Sequence, residues 1–234
     1  MKYAVMQPYF IPYLGYWQMM AEVDVFVVYD DVQFVKQSWM TRNRMMVANE
    51  PSWISLPVKK TSHQSIINTI SLSTELLPNF WKKLRRTVLT NYAKAGELDE
   101  LMRWIGVLES LSFKYSNLSD FLYHQLVWVN DELELGTKLV RSSEMSVSHD
   151  LGRVDRLVAF GRHVNARLYV NAPGGADLYR KEQFAVYGFE LSFFQPRLNS
   201  FGRPRVRFVP GLSILDCVAH MSRAELRNQI VGES

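Results

Sequence analysis

The sequence has little of what marks a secreted, membrane-bound or metal-dependent protein. It holds one cysteine, Cys217. An intrachain disulfide framework is therefore excluded, and nothing points to an oxidising compartment. No apolar run approaches the roughly 18 residues that cross a bilayer. No basic segment followed by an apolar core and a small-residue cleavage site opens the chain, so no signal peptide is expected. These absences predict a cytoplasmic protein without membrane insertion.

Familiar catalytic signatures are missing too. The five histidines, His63, His124, His149, His163 and His220, show no close metal-ligand spacing, and there is no H-E-x-x-H. A G-x-S-x-G elbow is absent. So are a P-loop and a G-x-G-x-x-G fingerprint. Zinc hydrolysis and a serine triad are disfavoured on these grounds. Cys217 lies in an apolar stretch and reads as a small core residue.

Charge of either sign is modest. The net charge is +4 and the pI about 9.1. Local basic groups occur at Lys82-Lys83-Arg85-Arg86 and Arg203-Arg205-Arg207. Such groups are commonly solvated faces. They also suit an anionic small molecule such as a nucleotide or sugar phosphate. No nucleic-acid motif accompanies them, so no nucleic-acid partner is expected.

What is present is ordinary globular material, 47% hydrophobic over 234 residues. Lys2–Gln7 reads as a strand, Tyr13–Ala21 as a helix and Val25–Tyr29 as a strand buried on both faces. Arg44–Ala48 and Trp53–Pro57 flank Asn49-Glu50-Pro51-Ser52, a hairpin with a polar turn. Ile66–Leu72 predicts a further short strand. Three helices follow, over Pro78–Tyr92, Leu98–Leu111 and Ser119–Leu135. Then strands over Thr137–Arg141, Arg167–Val170 and Glu190–Phe194 alternate with helices over Val154–His163 and Lys181–Tyr187. A basic loop, Arg197–Arg207, leads to a helix over Ile214–His220. Ser222-x-x-Glu225 is a capping box opening the last helix. The expected architecture is one α/β domain over residues 1–234. Its sheet is mainly parallel, Rossmann-like and flanked by helices, with a β-hairpin and a mainly helical insertion at about 75–135.

In open α/β sheets, ligands bind beyond the carboxyl ends of the strands. Gln7 and Tyr9 follow the first strand here. Asp30, Asp31, Gln33 and Lys36 follow the second. Ser142-Ser143, then Asn171 with Gly174, Gly175 and Asp177, then Gln195 follow later ones. Parallel strands would converge these groups on one edge. The Asp30-Asp31 pair has three readings: holding a divalent cation such as Mg²⁺ with a substrate phosphate, general base catalysis, or a turn or cap. Gly174-Gly175 reads as a close backbone approach to a ligand or as a plain turn. Trp39-x-x-Arg42-Asn43-Arg44 brings cations and amides over the cleft, or forms the outer face of the hairpin.

Several of these stretches carry a resemblance. They are Met6-Gln7-Pro8-Tyr9-Phe10-x-Pro12-Tyr13-x-Gly15-Tyr16, Asp30-Asp31-Val32-Gln33-Phe34-x-Lys36, Trp39-x-x-Arg42-Asn43-Arg44, Leu56-Pro57-Val58, Gly174-Gly175-x-x-Leu178-Tyr179 and Pro210-Gly211-Leu212-Ser213-Ile214-x-Asp216. Together they resemble the WbqC-like protein family. The resemblance implies a transferase of bacterial surface-polysaccharide synthesis, of the O-antigen type, that attaches an aminoacyl or acyl group to a nucleotide-linked amino sugar. On that expectation Gln7, Tyr9 and Tyr16 line the pocket, with Asp30 or Asp31 as base or metal ligand. Lys36, Arg42 and Arg44 meet the pyrophosphate. Gln33, Trp39 and Asn43 stand beside them. Asn171, Gly174, Gly175, Asp177 and Tyr179 close the other side. A weaker similarity runs to HIGH-type nucleotidyltransferases, where Tyr13-Leu14-Gly15-Tyr16 has tyrosines in place of two histidines. That likeness gives one alternative, a nucleotidyltransferase or ligase that activates a carboxylate with ATP. A second alternative, independent of it, is a sugar-nucleotide-binding partner without activity.

Overall fold

The structure, a computed structural model, describes residues 1–62, 64–198 and 209–232. His63 and the Arg203-Arg205-Arg207 group lie outside the described residues, as does most of the expected basic loop. The chain opens with β1 (Lys2–Met6), α1 (Leu14–Ala21) and β2 (Val25–Val28). A hairpin of β3 (Arg42–Val47) and β4 (Glu50–Ser55) follows. Helices α2 (Leu77–Asn91), α3 (Leu98–Lys114) and α4 (Leu118–Glu132) come next. Then come β5 (Lys138–Arg141), α5 (Arg153–His163), β6 (Leu168–Asn171), α6 (Lys181–Ala185) and β7 (Glu190–Phe193). Finally α7 (Ile214–His220) and α8 (Arg223–Val231) complete the described chain.

Five strands form one sheet in the order β5-β2-β1-β6-β7, and every pairing in it is parallel. The apolar runs in β1 and β2 are continuous because both faces are covered. Tyr3, Val5, Val25 and Val27 pack into one core with Leu157, Phe160 and Phe184. Ala4, Phe26 and Val28 face the other core with Trp17, Trp81, Trp104 and Phe121. The three helices between β4 and β5 thus share a core with the sheet.

Two expectations need correction. The hairpin turns at Ala48-Asn49, both at positive φ (50° and 65°), and not over Asn49–Ser52. Two-residue hairpin turns need positive φ, which Asn tolerates. Pro51 lies inside β4, opposite Met46, where an edge strand accommodates a missing N–H. Ile66–Leu72 is not a strand. It forms a 3₁₀ turn over Ile67–Thr69, held by single bridges Gln33–Ile66, Val58–Leu72 and Ser71–Asn117. Its buried side chains fall at Ile67, Ile70 and Leu72 and do not alternate. The remaining elements agree within a few residues. The expected capping box is formed: Ser222 Oγ accepts from the Glu225 amide, and the Glu225 carboxylate accepts from the Ser222 amide. No helix among the described residues is long and apolar enough to cross a membrane.

Candidate functional site

Numbered along the chain, the sheet strands run 3-2-1-4-5, the order of nucleotide-binding doubly wound sheets. The order reverses between β1 and β6. A crevice therefore opens between the segment after β1 and the segment after β6.

The segment after β1, Pro8–Pro12, is strained and fully tied down. Ile11 has φ of +46°, an outlier for a β-branched residue. Gln125 of α4 receives the Ile11 amide at 3.0 Å and donates to the Tyr9 carbonyl at 2.9 Å. Asn43 of β3 donates to the carbonyls of Phe10 (2.9 Å) and Ile11 (2.6 Å). The Phe10 amide donates to Trp39 O, and Pro12 O accepts from Trp17 Nε1 and the Ile214 amide. Such over-determination holds an unfavourable backbone in place.

The outcome is a fixed aromatic wall. A cavity of about 320 Å³ is lined by Tyr9, Tyr13, Tyr16, Trp39, Arg44 and Phe194, among others. Tyr9 lies 5.4 Å from Tyr16 and 6.5 Å from Trp39, ring to ring. Trp39 is 5.2 Å from Trp53, and the Arg44 guanidinium is 5.7 Å and 5.8 Å from these two rings. Arg44 Nη2 donates to Gly211 O at 3.3 Å, while its buried Nε has no protein partner. Gly15 is required for close approach, since a Cβ there would sit 2.6 Å from the Tyr13 ring and 2.8 Å from Pro196 Cβ. Burial pushes the hydroxyls of Tyr9, Tyr13 and Tyr16 up from their ordinary values. They are protonated donors at neutral pH. The Tyr16 hydroxyl donates a hydrogen bond to the Gln7 carbonyl oxygen, 3.1 Å away.

A second cavity of about 340 Å³ shares Met6, Tyr9 and Ala172 with the first. Gln7, Tyr29, Asn171, Gly174, Gly175 and Tyr179 line it. Asn171 is buried. Its Oδ1 accepts from the Ala172 amide at 2.8 Å, and its Nδ2 has no partner. Gly175 leaves room for that amide: a Cβ there would lie 2.0 Å from Nδ2.

The acidic pair is placed differently. Asp30 is fully buried and lines neither cavity. Its Oδ1 accepts from the Ser143 amide and Ser142 Oγ, and its Oδ2 from Ser119 Oγ and Ser143 Oγ. Asp31 Oδ1 lies 2.5 Å from Ser142 Oγ. Asp31 Oδ2 accepts from Arg156 Nη2 at 2.6 Å and lies 3.3 Å from His149 Nε2. Arg156 Nη1 donates to the Tyr29 hydroxyl at 2.9 Å, so Asp31 connects to the second cavity through Arg156. All four carboxylate oxygens are occupied by protein groups, an arrangement that does not fit a Mg²⁺ site. Among the described residues no three His, Cys, Asp or Glu side chains gather as a ligand set.

The crevice thus brings together Gln7, Tyr9, Tyr16, Trp39, Arg44, Asn171, Gly174, Gly175 and Tyr179. Asn43 lies buried beneath the Pro8–Pro12 segment. Lys36 and Arg42 line a separate groove. Gln33 and Asp177 are exposed and line neither crevice cavity. Sequence reasoning missed Gln125 and Arg156. Both carried a signal: each is a polar residue at i,i+4 spacing on an apolar helix face, Gln125 between Phe121 and Val129, and Arg156 before Phe160.

No solved structure matches the chain significantly. An uncharacterized protein of Mycobacterium tuberculosis, Rv1507c, is 28% identical over 218 residues, covering 92% of this chain and 91% of its own. The model of the WbqC-like protein family matches residues 7–228, from the residue that follows β1 into α8. The chain, from its crevice loop to its last helix, belongs to the WbqC-like protein family.

Proposed function

We propose that the protein is a cytoplasmic transferase of bacterial surface-polysaccharide biosynthesis, which attaches an aminoacyl or acyl group to a nucleotide-linked amino sugar. Family membership supports the pathway class. The observation that carries the substrate class is the composition of the crevice. Tyr9, Tyr13, Tyr16 and Trp39 offer faces to a planar ring beside Arg44, whose Nε lacks a protein partner. In this reading the nucleobase lies against the aromatic wall and Arg44 meets the diphosphate. The sugar enters the second cavity, where Gln7, Asn171 and Tyr29 supply amides and a hydroxyl. The sugar amine attacks the acyl carbonyl, a C–N bond forms as the bond from the carbonyl carbon to the acyl carrier breaks, and the proton the amine sheds leaves with the carrier. Asp31 acts through Arg156 on Tyr29, and Asp30 positions the loop behind it.

The test is a thermal-shift and calorimetric screen of UDP-, GDP- and dTDP-linked amino sugars. A ligand of the native state raises the melting temperature. At least one nucleotide sugar is expected to bind, and Arg44→Ala to weaken it. If none binds better than inorganic phosphate, the reading fails. Binding without acylation would favour a non-enzymatic partner. Pyrophosphate release from ATP with a carboxylic acid would favour a nucleotidyltransferase.

A further inference from the structure

Beside the hairpin's aromatic face lies a groove that the crevice does not use. Residues two apart on a strand point the same way, so Arg42 projects beside Arg44, opposite Ser55 and Trp53 of β4. The Arg42 guanidinium covers Trp53 at 4.1 Å. Beyond it is a cavity of about 320 Å³ lined by four cations, Lys36, Arg42, Lys59 and Lys60, with Thr41 and Thr61. No carboxylate is among its lining residues. Buried Arg42 Nε has no protein partner.

The cations are held there by backbone. The amides of Thr41 and Arg42 donate to Ser38 O, and the Lys59 amide donates to Ser71 O. Val58 bridges Leu72, and Gln37 turns the chain at φ +55°. Three separate segments therefore converge four like charges on one concavity. Those charges repel one another, and a bound anion relieves the repulsion. Compare Lys82-Lys83-Arg85-Arg86 on α2, where Arg85 pairs with Glu109 and the lysines face solvent.

We infer that this groove is a second anion site, separate from the crevice, for a multiply charged phosphate group such as the diphosphate or bisphosphate of a second substrate. Four cations exceed what one carboxylate neutralises. Threonine hydroxyls and a guanidinium suit the several oxygens of a phosphate. The inference stands apart from the reading of the crevice.

The probe is inorganic pyrophosphate, titrated calorimetrically at low salt into the intact protein. Lys59→Ala/Lys60→Ala, both at exposed positions, is expected to weaken binding by about tenfold or more. Lys82→Ala/Lys83→Ala lowers the net charge equally and is expected to leave it unchanged. Loss of affinity in the Lys59/Lys60 variant and not in the Lys82/Lys83 variant supports the site. No measurable binding overturns it, as does equal weakening by both lysine pairs.

Discussion

Asn43 Nδ2 lies 2.6 Å from the carbonyl oxygen of Ile11, the residue held at φ +46°. With the bond from the same amide to Phe10 O, this contact ties the hairpin to the strained segment that shapes the crevice. Asn43→Ala removes the donor for two buried carbonyls, Phe10 O and Ile11 O. Leaving such groups unsatisfied costs about 2–4 kcal/mol in total. The urea midpoint is expected to fall accordingly. An unchanged midpoint would show that the segment holds its own shape.

The two glycines after β6 are expected to behave oppositely. A Cβ at Gly174 meets nothing within 4 Å, whereas one at Gly175 lies 2.0 Å from Asn171 Nδ2. Gly175→Ala therefore displaces the amide that lines the second cavity. Sugar-nucleotide affinity is expected to drop about tenfold, the worth of one good hydrogen bond to a ligand, while Gly174→Ala binds like the parent. Calorimetric titration of both variants reads the contrast directly.

Asp30 is expected to answer to stability and not to chemistry. Its carboxylate accepts from three serine hydroxyls and one amide. Asp30→Asn presents an NH₂ only where hydroxyls can rotate to accept it, and is expected to cost about 1 kcal/mol. Asp30→Ala strands the Ser143 amide and opens a polar hole, costing about 2–4 kcal/mol. Denaturant unfolding separates the two. Turnover per folded molecule should survive Asp30→Asn. Its abolition in a well-folded Asp30→Asn protein would restore Asp30 as a base.

These residues show why parts of the site were legible and others were not. The runs Tyr3–Met6 and Val25–Val28 announced a parallel sheet because burial on both faces leaves no polar alternation. The strand-end rule then brought Gln7, Asn171 and Gly175 to one crevice. It set Ser142 and Ser143 on the same edge as Asp30 but could not show that they bond its oxygens. It missed Ser119, which comes from helix α4 and not from a strand end. The hairpin was readable but its turn was not, since Asn49, Pro51 and Ser52 are all turn formers. Lys36 and Arg42 were expected at the pyrophosphate with Arg44, yet both line a separate groove with the loop that carries Lys59 and Lys60.

The last prediction concerns pH and the contact that anchors α7 to the hairpin. Asp216 accepts from the Tyr92 hydroxyl at 2.8 Å, and that oxygen accepts from the Met46 amide at 3.0 Å. Burial raises the Asp216 carboxyl above its ordinary value, more than the Tyr92 bond and His220 lower it. The native state therefore keeps this proton to a higher pH than the unfolded chain, where the group titrates near pH 3.9. The stability this provides is complete below the unfolded value and is lost as pH rises through the folded one. Asp216→Asn retains an acceptor for Tyr92 but cannot ionise, so it escapes that loss. Glu100 contributes with the opposite sign, because its hydrogen bond from Arg103 holds its carboxyl low, and it cancels when variant and parent are compared. The melting temperature of Asp216→Asn minus that of the parent is expected to climb from about pH 4 upward and then level off. A difference that stays flat across this range would mean that Asp216 titrates alike in both states, and that its burial penalty is fully offset by Tyr92 and His220.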